Sequence, residues 1–180
     1  VGVAACVAAT GMLFTAGPGS AVGTDATVPV GVGPFDVAVS PDSSQAYVTN
    51  RIAGSLSVLD LASNTVTKTI PLSAGVEGVA FTPDGTRAYV ANSADKVTII
   101  NTATTSVAAN LALAGEPADV AVTAYGKYVL VPRRSVDKVS VLTVATNQQV
   151  AELSVGDEPT SVAISADGTK AYVANNASNT

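Results

Sequence analysis

Asp36, Glu77 and Asp119 stand 41 and 42 residues apart, each close to the start of a short apolar run, and Asp157-Glu158 follow about one interval later. Carboxylates brought together by such a spacing can hold a hard cation such as Ca²⁺ through oxygen, or exchange protons with a substrate. Arg133-Arg134, directly after Pro132, add two guanidinium groups able to grip an anion or a carboxylate in bidentate fashion. Little else in the chain is reactive. His and Trp are absent and Cys6 is the single cysteine. That removes Ser-His-Asp and Cys-His nucleophilic systems, His-ligated zinc, haem attachment and any internal disulfide. Gly-rich phosphate loops and metal-type Cys/His clusters are missing too. No catalytic residue, cofactor or metal is therefore expected. The acidic groups read first as solvated loop charges, because their spacing belongs to the fold and is no independent signal.

The elements that position these groups follow from composition and periodicity. The chain has 180 residues, 14 acidic and 9 basic, a net charge of −5 and a pI near 4.4. Such a balance disfavours nucleic acid as a partner, since phosphate contacts need clustered Lys and Arg. Hydrophobic residues make up 47% and charged ones 13%, so the chain can bury a core and is not disordered through charge excess.

From Gly31 the sequence repeats itself. GPFDVAVSPDSSQAYVTN is followed by SLSVLDLASNTVTKTIPL, then GVEGVAFTPDGTRAYVAN by KVTIINTATTSVAANLAL. A third, more worn unit, GEPADVAVTAYGKYVLVP with KVSVLTVATNQQVAELSV, precedes a fourth, DEPTSVAISADGTKAYVANN. Val37, Val79, Val120 and Val162 mark the register in steps of 42, 41 and 42 residues. Each unit alternates Val, Ile, Thr and Tyr with polar or small residues between turn signals, which is the pattern of strands. In unit one the strands are expected near 36–40, 46–50, 56–60 and 66–70. Pro41-Asp42, Pro83-Asp84-Gly85 and Ala166-Asp167-Gly168 suit tight hairpins: Pro presets φ, Asp bonds back to the backbone and Gly accepts a left-handed conformation.

Four antiparallel strands per forty-odd residues is the pattern of a β-propeller blade. Tyr47-Val48-Thr49-Asn50, Tyr89-Val90-Ala91-Asn92 and Tyr172-Val173-Ala174-Asn175 resemble the YVTN-type β-propeller repeat of bacterial and archaeal surface proteins, a group related to seven-bladed lactonase-like propellers. In unit three Tyr125 replaces the hairpin Asp, Val129-Leu130-Val131-Pro132 replaces the YVTN string, and a residue is expected to be lost from the hairpin. The Tyr rings are expected between neighbouring blades, the Asn side chains at turns, and the small residues Ala38, Ala80, Ala121 and Ala163 where inner strands approach.

The expected fold is thus all-β: an incomplete β-propeller of four-stranded antiparallel blades at about 31–72, 73–113 and 114–154, with a partial blade at 155–180. A lone strand at 27–31 resembles the end of a fourth strand. Seven blades of this size need roughly 290 residues, so the remaining blades are expected from further sequence, with a second chain as the alternative. Residues 1–17 are uncharged and apolar, and 1–26 read as a secretory signal segment that begins part-way through its gene. No membrane span is expected in the mature form. Lipidation at Cys6 or a retained anchor is the alternative, and the domain proper is placed at 27–180.

The functional expectation is a non-catalytic exported propeller, secreted or at the cell surface, that binds a protein or a wall polymer. Its contact face would be the loop end carrying Asp36, Glu77, Asp119, Arg133 and Arg134. The alternative is a fragment of a lactonase-like or oxidoreductase-related propeller enzyme whose reacting residues lie outside this chain. Members of the lactone-hydrolysing group use channel residues that include His, which this chain lacks.

Overall fold

The computed structural model describes residues 12–15 and 23–180. Two strands, β1 (Met12–Thr15) and β2 (Gly23–Thr27), pair antiparallel ahead of the first repeat. A lone strand was expected at 27–31, but residues 28–31 belong to no strand, and the pairing lies earlier, between 12–15 and 23–27. The export reading covers 1–26, and most of that segment, 1–11 and 16–22, lies outside the described residues.

Three complete four-stranded sheets follow. The first holds β3 (Pro34–Val39), β4 (Gln45–Asn50), β5 (Ser55–Asp60) and β6 (Thr65–Pro71). The second holds β7 (Val76–Phe81), β8 (Arg87–Asn92), β9 (Lys96–Asn101) and β10 (Ser106–Ala112). The third holds β11 (Ala121–Val122), β12 (Tyr128–Arg133), β13 (Lys138–Thr143) and β14 (Gln149–Ser154), and a two-stranded fourth holds β15 (Pro159–Ile164) and β16 (Ala171–Asn175). Each strand pairs with the next in sequence, so every sheet is an antiparallel meander. The first strands of adjacent sheets lie side by side, while β6, β10 and β14 face mostly outward. Each of these outer strands carries one register irregularity against its neighbour, which adds twist and blunts the exposed edge. The only helix among the described residues is a single 3₁₀ turn at Arg134–Val136. This is an incomplete β-propeller, as the repeat pattern predicts.

The core lies between blades, because a sheet with two apolar faces must bury both. Tyr47, Leu56 and Val58 of blade one pack on Val76, Val79 and Val90 of blade two. Tyr89, Val97 and Ile99 repeat the arrangement against Val120, Val129 and Leu142 of blade three. Both Tyr side chains are fully buried between blades, and Tyr47 lies with its ring centre 4.6 Å from that of Phe81. In blade four the equivalent Tyr172 is 63% exposed, on the face where a further blade would pack.

The hairpins between first and second strands are all of one length. Ser40, Thr82, Thr123 and Ser165 each donate their N–H across the turn to the residue five further on. Ser43, Gly85, Gly126 and Gly168 hold the left-handed position with φ of 59°, 69°, 65° and 69°. No residue is lost from the third hairpin. The short step falls instead in the β8–β9 loop, residues 93–95, where the other two complete blades use the four-residue loops 51–54 and 134–137.

That placement also corrects the strand register. Arg133 pairs with Lys138 as Asn50 pairs with Ser55 and Asn92 with Lys96. The YVTN string is therefore replaced by Leu130-Val131-Pro132-Arg133, one residue later than the sequence suggests. Pro132 has no N–H to offer a ladder, and the inner strand beside it is correspondingly short, with only an isolated bridge between Pro117 and Arg133 beyond it.

Candidate functional site

Asp36 sits near the start of β3 and uses its carboxylate to join two blades. Oδ1 accepts the N–H of Val37 at 2.8 Å, and Oδ2 accepts the N–H of Val79 in blade two at 2.8 Å. Asp119 does the same one pair of blades later. Its Oδ1 accepts from Val120 at 2.8 Å, and Oδ2 accepts from Val162 at 3.0 Å and from the Ser161 hydroxyl at 2.9 Å. Burial pushes the Asp36 carboxyl above its usual value, against the two backbone donors and with a further upward contribution from Asp119. A carboxylate that bridges inner strands in this way is a structural clasp.

Glu77 does not occupy the equivalent place. Gly78 does, and a Cβ there would lie 2.4 Å from Asp119 Oδ1 and 2.7 Å from Asp119 Cα. Clasps therefore alternate: the blade that has Gly at this position makes room for the Asp of the next. Glu77, one residue earlier, is fully buried. It pairs with Arg134 through both of its oxygens, and with Arg51 at 3.2 Å. Hydrogen bonding to Glu77 pushes the Arg134 guanidinium further above its already high value.

Arg133 is 7% exposed. Its Nη1 donates to the Ala114 carbonyl at 2.9 Å, as Asn92 Nδ2 donates to the Ser73 carbonyl at 3.0 Å one blade earlier. Its Nη2 pairs with Glu152, whose carboxyl is held below the usual range by Lys138 first and by Arg133 second. Arg133 thus does the work of the strand-end Asn and lies inside the fold. Asp157 and Glu158 are exposed on the last described loops at this end.

Two of the five candidates, Glu77 and Arg133, are therefore buried, and Arg134 is held by Glu77. Among the described residues no three of His, Cys, Asp and Glu gather into a group that could hold a metal ion. Arg51, which sequence reasoning missed, is half-exposed beside Glu77 and lies over the Phe35 ring at 5.4 Å. Val32, Phe35 and Ile52 are exposed at the same end of blade one.

Repeating four-stranded antiparallel sheets, packed face to face with their first strands innermost, define a β-propeller protein. The family described as "Lactonase, 7-bladed beta-propeller" matches residues 69–180, more than half of the chain. The chain belongs to that family. Among curated proteins none matches it. Among solved structures it is similar to Kuenenia stuttgartiensis hydrazine synthase, with a TM-score of 0.75 and 24% identity over 78% of this chain and 41% of that one. That likeness is one of fold, and the chain spans less than half the length of that relative.

Proposed function

We propose that the chain forms part of an exported, surface-presented propeller of the YVTN repeat type that recognises a protein or a wall polymer and performs no catalytic step of its own. The observation that carries this reading is how the acidic groups are used. Asp36 and Asp119 accept backbone N–H groups from two blades each, and Glu77 is buried between two arginines. Acid–base or nucleophilic work needs a carboxylate oxygen within reach of the substrate, and these oxygens are occupied by the fold. Recognition needs exposed groups on well-held loops, and Val32, Phe35, Ile52 and Arg51 supply them. In this reading residues 1–26 direct export, 27–180 supply blades, and the rest of the ring comes from further sequence of the same protein.

Purified chain offered simple lactones should show no turnover above buffer. It should bind isolated cell envelopes, and the double change Phe35→Ser with Ile52→Ser should weaken that binding several-fold while leaving the fold intact. Lactone hydrolysis abolished by Asp36→Asn or Asp119→Asn overturns the reading. The family match supports a second one, a lactonase-like enzyme whose reacting residues lie on other blades. It predicts hydrolysis by the closed ring and none by these blades alone.

A further inference from the structure

The junctions between blades share one framework but place different side chains at matching positions. At the junction of blades two and three, Arg87 reaches across from the start of β8, and its Nη1 donates to the Val144 carbonyl at 2.6 Å. Beside it the Tyr89 hydroxyl donates to Asn147 Oδ1 at 2.7 Å. At the junction of blades one and two, Gln45 stands where Arg87 does, Thr102 where Val144 does, and Thr105 where Asn147 does. Gln45 carries no cation. Thr105 is already committed, its hydroxyl and the Thr104 carbonyl receiving Lys68 Nζ at 3.0 and 3.3 Å.

Two consequences stand in the structure. The Tyr47 hydroxyl, on a fully buried side chain, has no hydrogen-bond partner among the described residues. A cavity of about 290 Å³ opens between the hairpins of the two blades, lined among others by Asp42, Gln45, Phe81, Asp84 and Thr102. Of these, Asp42, Gln45 and Thr102 correspond to Asp84, Arg87 and Val144 one blade on, and the Phe81 ring that forms one wall lies against Tyr47.

We propose that the cavity between blades one and two binds a guanidinium group, seated as the Arg87 side chain is at the next junction. The lining offers acceptors and negative charge. Ser40 and Ser44 hold the Asp42 carboxyl below the usual range, as Thr82 and Thr86 hold Asp84, so both are ionised at neutral pH. The Asp84 bonds fall on Oδ1, which leaves Oδ2 for an incoming donor. Phe81, which lines the cavity, supplies an aromatic face for a planar cation. The nearby cations do not fill the space: Arg87 points into the next junction and Lys68 is bound at the outer rim. The guanidinium can belong to a free solute or to an arginine side chain of another protein, and the chemistry is the same.

The test is titration of the full chain with methylguanidinium chloride and with a short peptide containing one arginine, followed by amide NMR against NaCl at matched ionic strength. Saturable shifts of Phe81, Gly85 and Thr102 at millimolar methylguanidinium or below are expected. Asp84→Asn should weaken binding at least tenfold. Gln45→Arg, which tethers a guanidinium in place, should abolish binding and raise the melting temperature. Tighter binding of the peptide identifies a protein side chain as the source, and binding of methylguanidinium alone identifies a free solute. Absence of saturation, equal shifts with NaCl, or unchanged binding by Gln45→Arg overturns the proposal. Gln45→Arg decides the matter if Asp84→Asn does not fold.

Discussion

Removing the Asp36 carboxylate tests whether the inner-strand acids are clasps or reserve chemistry. In Asp36→Ala the Val79 N–H loses its acceptor at a residue only 5% exposed, and a hydrogen bond to a charged group is worth ~1.5–3 kcal/mol. The Val37 N–H is more easily rehydrated and adds about 1 kcal/mol or less. Part of this is offset, because the carboxylate is itself penalised by burial. The net expectation is a loss of about 2 kcal/mol at pH 7. With a urea slope of about 2 kcal/mol/M, the unfolding midpoint should fall by about 1 M. Hydrogen exchange localises the effect: protection at the Val79 amide should drop by at least tenfold, while the Val97 amide in β9 changes only with global stability. The pH dependence has a definite sign. A carboxyl raised in the folded state contributes stability that is complete below its unfolded value near 4 and is lost as pH rises through the higher folded value. Asp36→Asn should therefore remove a shallow decline in stability over that window. A wild-type midpoint together with wild-type Val79 protection in Asp36→Ala would refute the clasp and free this carboxylate for a functional role.

Three further outcomes follow from the same geometry. Tyr47→Phe should leave thermal stability unchanged or raise it, because it deletes a buried hydroxyl without a partner, whereas Tyr89→Phe should cost ~1 kcal/mol by breaking the bond to Asn147; equal effects of the two in calorimetry would contradict the difference between junctions. Tyr125→Asp should stabilise by ~0.5–1 kcal/mol at neutral pH, since residue 125 is 85% exposed and its counterparts Asp42, Asp84 and Asp167 accept turn N–H groups; the gain should vanish as pH falls through the lowered carboxyl value, as read by melting at pH 7 and pH 3. Gly78→Ala should destabilise by ~2–4 kcal/mol, because the new methyl would meet the main chain at Asp119 Cα and Val120 N, which cannot swing aside, and chemical denaturation should register it.

The repeat, the strands and the hairpins were legible in the sequence because they depend on neighbours within a few residues. Alternation along a strand and the Asp-Gly turns act locally, and the steps of 42, 41 and 42 residues count blades without any knowledge of contacts. The candidate site was legible only as a set of residue types. Glu77 looked equivalent to Asp36, yet the ladders put Gly78 there and send Glu77 to Arg51 and Arg134. Arg133 looked like a loop residue, yet the pairing of β12 with β13 places it in the strand-end Asn position, buried against Glu152. Because side chains in a strand alternate faces, a slip of one residue exchanges inside for outside, and only the paired ladders resolve it. The clasps lay further out of reach: Asp36 meets Val79 and Asp119 meets Val162, each 43 residues on. Their partners are main-chain N–H groups, which every residue except proline carries, so no residue type marks the meeting and only the packing of one blade on the next decides it.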